Sequence, residues 1–254
     1  MSGIVWVTGA SSGIGRAAAL EFARRGYRVA ATARRADELA TLAAEASGEL
    51  GDITAFPGDI TDAAGIAAVV AAIEDDLGTI DTAVLNAGSF QPLTVETFSA
   101  EAIKATFDLN VVGTARCLEP LLPRMIARNA GRIFVVASVA GYRGLPQSAA
   151  YGASKAALIN MAEAFHTELR PHGVHFGVIN PGFVETPLTD RNTFPMPFLM
   201  PVDKAARRLV DGVLGRRFEV SFPFVFTTLM KLVRCLPYAL YFPLVRRVTA
   251  RRST

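Results

Sequence analysis

The chain has 254 residues, 51% of them apolar and 19% charged, with a formal net charge of +3 and a sequence pI of about 9.1. A chain this apolar buries enough surface to offset the entropy of ordering, which excludes a disordered protein, and its length fits one domain with room for an appendage. Two cysteines far apart, Cys117 and Cys235, with no CxxC pair and no neighbouring histidine pair, exclude a disulfide scaffold and a zinc site, so no metal is expected.

In chain order, Ile4–Thr8 reads as a buried strand and Gly13–Arg25 as a helix stopped by Gly26. Tyr27–Ala33 is a second strand, Asp37–Glu49 a second helix and Thr54–Pro57 a short third strand. A helix over Asp62–Leu77 ends at Gly78, and Thr82–Asn86 is a fourth strand. One helix across 101–128 precedes a fifth strand, Ile133–Ser138; a helix over Tyr151–Arg170 precedes a sixth, Val174–Ile179. Strands alternating with helices predict βαβ crossovers, and hence an α/β fold with a doubly wound parallel sheet covered on both faces.

The first turn reads Thr8-Gly9-Ala10-Ser11-Ser12-Gly13-Ile14-Gly15. Glycines there let a pyrophosphate approach the backbone, and the helix that follows offers unpaired N–H groups and the positive end of its dipole. The other meaning of such a turn is tight packing alone, since the spacing is not G-x-G-x-x-G. The second strand leads into Arg34 and Arg35, where NAD-binding chains tend to carry an acidic residue. Guanidinium groups suit a 2′-phosphate, so NADP(H) is expected over NAD(H), although Asp37 lies close by.

Tyr151 and Lys155 stand one helical turn apart, on one face of the predicted helix. A nearby ammonium favours the phenolate and brings a tyrosine towards the range useful for acid–base work. Ser138 ends the fifth strand, at the edge where open α/β sheets bind their ligands. His166, His172 and His175 are expected to be structural or surface groups, and Cys117 an ordinary buried thiol.

With Thr8-Gly9-x-x-x-Gly13-x-Gly15, Asn86-Ala87-Gly88, Ser138, Tyr151-Gly-Ala-Ser-Lys155 and Pro181-Gly182 in this order and spacing, residues 3–190 resemble the short-chain dehydrogenase/reductases of about 250 residues. Leu85 departs from a frequent asparagine. The resemblance implies a seven-stranded Rossmann-type sheet with NAD(P)(H) across its C-terminal strand edge. It implies that Tyr151 exchanges the alcohol proton and that Lys155 binds the nicotinamide ribose and lowers the Tyr151 pKa. Ser138 would orient the carbonyl oxygen, and Asn110 would hold a relay water. The cofactor would lie along Gly9, Ser11, Ser12, Gly13, Ile14 and Gly15, with Arg34 and Arg35 beside it and Asp59 and Ile60 at the adenine. Asn86, Ala87 and Gly88 would flank the adenosine ribose; Pro181, Gly182, Val184 and Thr186 would frame the nicotinamide. A lid over about 186–201, with Leu188, Phe194, Met196, Phe198, Leu199 and Met200, implies an apolar substrate, lipid-like, steroid-like or aromatic.

The expected function is therefore NADP(H)-dependent hydride transfer to or from a carbonyl or secondary alcohol, by a homodimer or homotetramer with no nucleic-acid partner. The alternatives are a non-redox relative (a dehydratase or epimerase), which Asn110, Ser138 and the short substrate region weigh against, and a nucleotide-sensing protein, which would not need Tyr151.

The positive charge lies in one place. No acidic residue follows Glu219, while Lys231, Arg234, Arg246, Arg247, Arg251 and Arg252 supply six positive charges and leave −3 for residues 1–219. The chain thus divides into a Rossmann domain over 1–219 and a basic amphipathic extension over 220–254. The uncharged runs 220–230 and 235–245 fall short of the roughly 20 residues that span a bilayer. An in-plane helix fits better, with Phe224, Val225, Thr228, Leu229, Leu232, Val233 and Leu236 on one face and Thr227, Lys231 and Arg234 on another. The alternative is a helix that closes the substrate pocket or packs on another subunit. With no basic segment before the first apolar run, the expected location is the cytoplasm, peripheral on the inner membrane surface if residues 221–254 bind lipid.

Overall fold

The computed structural model describes residues 3–190 and 196–250. Its strands are β1 (Ile4–Thr8), β2 (Arg28–Thr32), β3 (Asp52–Ala55), β4 (Ile80–Leu85), β5 (Gly131–Val136), β6 (Val174–Pro181) and β7 (Glu219–Phe222). They form one sheet in the order β3-β2-β1-β4-β5-β6-β7, every neighbouring pair parallel. Helices α1 (Gly13–Arg24), α2 (Ala36–Glu45) and α7 (Val202–Leu214) cover one face. Helices α3 (Ala63–Asp76), α5 (Gly113–Ala127) and α6 (Ala149–Leu169) cover the other, with α4 (Ala100–Phe107) leading into α5.

The sequence dictates this layering. A strand covered on both sides must be apolar throughout, and all five residues of β1 are buried. Helix α3 starts where the Asp62 side chain accepts from Gly65 N–H, and it buries Ile66, Val69, Val70 and Ile73 at helical spacing. Trp6 fits into the core because its indole N–H reaches Thr32 Oγ1 at 2.9 Å. Sequence order reverses between β1 and β4, and their carboxyl ends open a crevice there.

Several expectations shift. The single helix read across 101–128 is α4, a π-helical turn at Asp108–Val112, and α5. The pattern placed the third strand about two residues late, and α7 and the four-residue β7 escaped it. The expected domain division at 219/220 falls inside β7, since Glu219–Phe222 pairs with Val178–Pro181. The tail continues as α8 (Phe224–Arg234) and α9 (Tyr238–Ala250). In helix α8 Phe226 and Thr227 are buried, Lys231 pairs with Glu219, and Phe224, Val225 and Leu232 of the expected apolar face are exposed, while Leu229 and Val233 of that face line the cleft.

The cause is Glu219. Its carboxylate accepts from Tyr142 Oη, from Asn180 Nδ2 at 2.8 Å and from Lys231 Nζ. These partners hold its pKa below the usual range although burial opposes them. A half-buried carboxylate without a cation is costly, so the lysine side of α8 turns towards the sheet.

Leu121 is fully buried on the α5 side of the sheet. Leu121→Ala is expected to lower unfolding free energy by about 2–5 kcal/mol, read from the urea midpoint at unchanged m-value.

Candidate active site

The turn after β1 is shaped by conformations that only glycine adopts easily. Gly9 has φ +68° and Gly13 φ +56°. A Cβ on Gly9 would stand 2.8 Å from Ala87 Cα, and one on Gly13 3.3 Å from Thr186 Cγ2. Ser12 is extended and makes no side-chain cap, and the first turn of α1 holds no acidic residue, so its N–H groups remain available to an anion. Thr8 and Asn86 close the base. The Thr8 hydroxyl accepts from the N–H groups of Asn86 and Ala87 at 3.0 and 3.1 Å, while Asn86 Nδ2 donates to the carbonyls of Thr8 and Gly9.

Beside the turn, Arg34 and Arg35 are exposed at the rim of a cleft of about 1660 Å³ that runs along the carboxyl ends of the strands. Arg35 Nη2 donates to Ser11 Oγ at 3.1 Å and pairs with Glu38 at 3.5 Å. Glu38 lines the same corner and escaped the sequence reading; its signal is its place three residues after Arg35, in the first turn of α2. Asp59 and Ile60 lie across the cleft. Bonds from the Thr61 N–H and hydroxyl, together with Arg34 and Arg116, hold the Asp59 carboxyl below its ordinary range.

Ser138, Tyr151 and Lys155 meet at the middle of the cleft. Ser138 follows β5, accepts from Ala140 N–H at 3.1 Å and donates to Pro181 O at 3.4 Å. Tyr151 sits in the first turn of α6 with Phe90 edge-on at 5.1 Å. Burial raises the phenol pKa and Ser138 opposes that rise. Lys155 is almost wholly buried, donates to Val136 O at 2.8 Å and has its Nζ 5.6 Å from the Tyr151 ring centre. Burial lowers its pKa to about 8. Among the groups that shift Tyr151, Ser138 is the lowering one; Lys155 points to the Val136 carbonyl.

Asn110 lies in the π-helical turn, fully buried. Its Oδ1 accepts from Ser89 N–H at 2.9 Å, and its Nδ2 donates to Ser89 O and to Ser154 Oγ. The loop at Gly88 passes so close that a Cβ there would stand 3.0 Å from Asn110 Oδ1 and 3.4 Å from Lys155 Nζ. A π turn adds a residue to the helix, and here it delivers the asparagine amide to this loop.

At the far end, Pro181, Gly182, Val184 and Thr186 line the cleft. Gly182 lies under the Phe226 ring of α8, at 2.7 Å from a Cβ built on it. The lid is pinned at its base, where Met200 N–H donates to Phe183 O and Glu185 N–H to Met200 O. Leu188 lines the cleft, Met196 is half-buried outside its wall, and Met200 belongs to the core. Phe198 and Leu199 are exposed, and the Phe198 ring lies 6.1 Å from that of Phe226; Phe194 lies outside the described residues. Phe226, Met230 and Val233 of α8 and Tyr241 of α9 supply much of the wall expected from the lid, which is the pocket-closing alternative for this segment.

The histidines stand apart from all this. His166 Nδ1 bonds Phe176 O at 2.8 Å, His175 lies near the amino end of β6, and His172 is exposed beyond α6. Cys117 is buried in the core, which pushes its thiol up to about 12. Among the described residues no cluster of ligating side chains could hold a metal.

Fold and cleft define a doubly wound α/β protein whose glycine turn and open helix end fit a dinucleotide. Residues 3–194 match the family model described as short chain dehydrogenase. An uncharacterised oxidoreductase of Myxococcus xanthus is 38% identical over 242 residues, covering 95% of this chain and 96% of its own. The 3-oxoacyl-[acyl-carrier-protein] reductase of Thermotoga maritima is 34% identical over 73% of this chain and 75% of its own. A short-chain dehydrogenase from Sphingobium yanoikuyae, solved in complex with NADPH, superposes with a TM-score of 0.79 at 28% identity, covering 93% of this chain and 97% of its own. The chain belongs to the short-chain dehydrogenase/reductase family, a family of nicotinamide-dependent oxidoreductases.

The buried ammonium gives the site a pH signature. A dinucleotide that binds the charged form of Lys155 in preference loses affinity once that proton is gone. The Kd for NADPH, followed by nucleotide fluorescence, is expected to rise as pH increases through about 8, and Lys155→Met should flatten the rise.

Proposed function

We propose that the protein transfers a hydride between nicotinamide C4 and a carbonyl or secondary-alcohol carbon of an apolar substrate, with NADP(H) preferred. The observation that carries this reading is the convergence of Ser138, Tyr151 and Lys155 beside the glycine turn, under a wall of Phe226, Met230, Val233 and Tyr241. A bound nicotinamide cofactor supplies or accepts the hydride at that position. The chain's own residues do the rest.

Ser138 Oγ and the Tyr151 hydroxyl form a pair of donors for one substrate oxygen. In the reducing direction Tyr151 gives its proton to that oxygen as the hydride reaches carbon, so a carbonyl becomes an alcohol with charge balanced. Burial keeps the Tyr151 phenol protonated at neutral pH, so the proton is there to be given, and the ammonium of Lys155, 5.6 Å from the ring centre, favours the phenolate that remains. Asn110 acts as a positioning residue, fixing Ser89 and Ser154 on either side of that lysine. The wall excludes water and takes an apolar body, in keeping with the acyl substrate named for the Thermotoga maritima relative.

Arg34 and Arg35 support the choice of NADP(H). They present two guanidinium groups at the rim, and the Ser11 contact already aims Arg35 at the turn. Glu38 offsets part of that charge, so the preference is expected to be moderate.

Tyr151→Phe should abolish ketone reduction, by about 10² or more in kcat, while NADPH binding is retained. Substantial residual turnover would assign the proton to another group. Arg34→Ala combined with Arg35→Ala should raise KM for NADPH by about 10-fold or more and leave KM for NADH nearly unchanged. Equal use of the two cofactors by the parent would remove the assignment.

A further inference from the structure

The C-terminal hairpin has two apolar faces. The inner one, through Phe226, Met230 and Tyr241, lines the cleft. The outer one carries Phe224, Val225 and Leu232 on α8 and Tyr238, Leu240 and Phe242 on α9, all more than half exposed. Tyr238 and Phe242 stack on each other at 5.4 Å, next to solvent. Large apolar side chains exposed in this number on two consecutive helices mark a contact with something else.

The charge around it narrows what that is. Arg234, Arg246 and Arg247 are exposed on the same hairpin, and the chain beyond adds Arg251 and Arg252. No acidic residue follows Glu219, and Glu219 is already engaged by Lys231. A two-fold contact between two copies through this face would set one arginine cluster against another with no carboxylate in the segment to separate them. An anionic lipid surface meets both the apolar and the cationic requirement. Helices α8 and α9 have 11 and 13 residues, and no helix among the described residues is long and apolar enough to cross a membrane, so the hairpin lies in the plane of the interface.

We propose that the outer face of α8 and α9 docks on an anionic lipid bilayer. Because the same two helices wall the cleft, docking sets the mouth of the site against the acyl region, and the substrate is a carbonyl or alcohol with an apolar tail that enters from the bilayer. The second clause rests on the hydride-transfer reading; the first does not.

The test uses the full chain with NADPH bound, spun with phosphatidylcholine vesicles made with and without phosphatidylglycerol. The chain is expected to pellet with the phosphatidylglycerol vesicles at low salt, less as salt rises, and not with phosphatidylcholine alone. Leu232→Glu combined with Leu240→Glu should reduce the bound-to-free ratio about tenfold or more. Both positions lie outside the cleft wall, so NADPH affinity and elution volume should stay as in the parent. Parent protein left in the supernatant with anionic vesicles overturns the docking proposal, and so does a double variant that pellets equally well. An oligomer of the parent that the double variant breaks, without lipid binding, assigns the face to a second copy and also overturns it. Delivery from the bilayer is read separately. Anionic vesicles should raise kcat/KM for a long-chain ketone in the parent and not in the double variant, and an equal gain in both overturns that clause. Failure of the hydride-transfer reading is distinguishable, because neither protein would turn over a short soluble ketone while sedimentation would still follow the outer face.

Discussion

The site depends on how the ends of β1 and β4 are tied at the point where the sheet changes direction. Parallel strands on either side of a switch point send their crossovers to opposite faces and would leave a gap of unpaired backbone at the edge. Thr8 and Asn86 bridge that gap with four hydrogen bonds, two accepted by one hydroxyl and two donated by one amide. The tie brings Gly9 against Ala87 at a distance only a glycine tolerates. It thereby fixes the height of the glycine turn relative to Gly88, and Gly88 in turn packs over Asn110 and Lys155. Cofactor cradle and acid–base pair are thus parts of one small structure.

Burial does electrostatic work at its centre. Out of water, a phenol resists ionising and an ammonium resists keeping its charge, so the Tyr151 pKa rises above its ordinary value while that of Lys155 falls to about 8. The site stores a neutral acid beside a lysine poised near neutrality. The Val136 carbonyl keeps the ammonium in place at 2.8 Å, and the Asn110 and Ser154 bonds hold the surrounding backbone.

Features decided within a few residues of chain were legible in the sequence, and features decided across the fold were not. The glycine turn, the Tyr151–Lys155 spacing and Ser138 at the end of a strand each follow from local geometry, and the structure brings them to one edge. The wall of the cleft could not be read that way. Residues 224–236 show an apolar stripe and a Thr227–Lys231–Arg234 stripe, and the usual rule turns the apolar one inward. Glu219 overrides the rule in part, because a carboxylate at the amino end of β7 draws Lys231 towards the sheet, while Leu229 and Val233 of the apolar stripe still line the cleft. Strand β7 is itself only four residues, too short for a periodicity. The π-helical turn at Asn110 left no pattern either, since it depends on what the extra residue reaches across the cleft.

Helices α8 and α9 are fastened to the body in part by the loop that also joins Ser138 to α6. Tyr142 bonds Glu219, and Gly144 O accepts from Tyr241 Oη. Between them, Arg143 donates to the carbonyls of Val233, Arg234 and Leu236, and lies 3.9 Å from the Tyr241 ring centre. A guanidinium on the last carbonyls of α8 caps them where the helix dipole is negative, and the ring beneath it adds a cation–π contact. Residues 142–144 lie on the segment between Ser138 and Tyr151, so the contacts that hold α8 and α9 are made by the same loop that joins these two residues. The cleft wall and the Ser138–Tyr151 segment are thus built against each other through Arg143 and Tyr241.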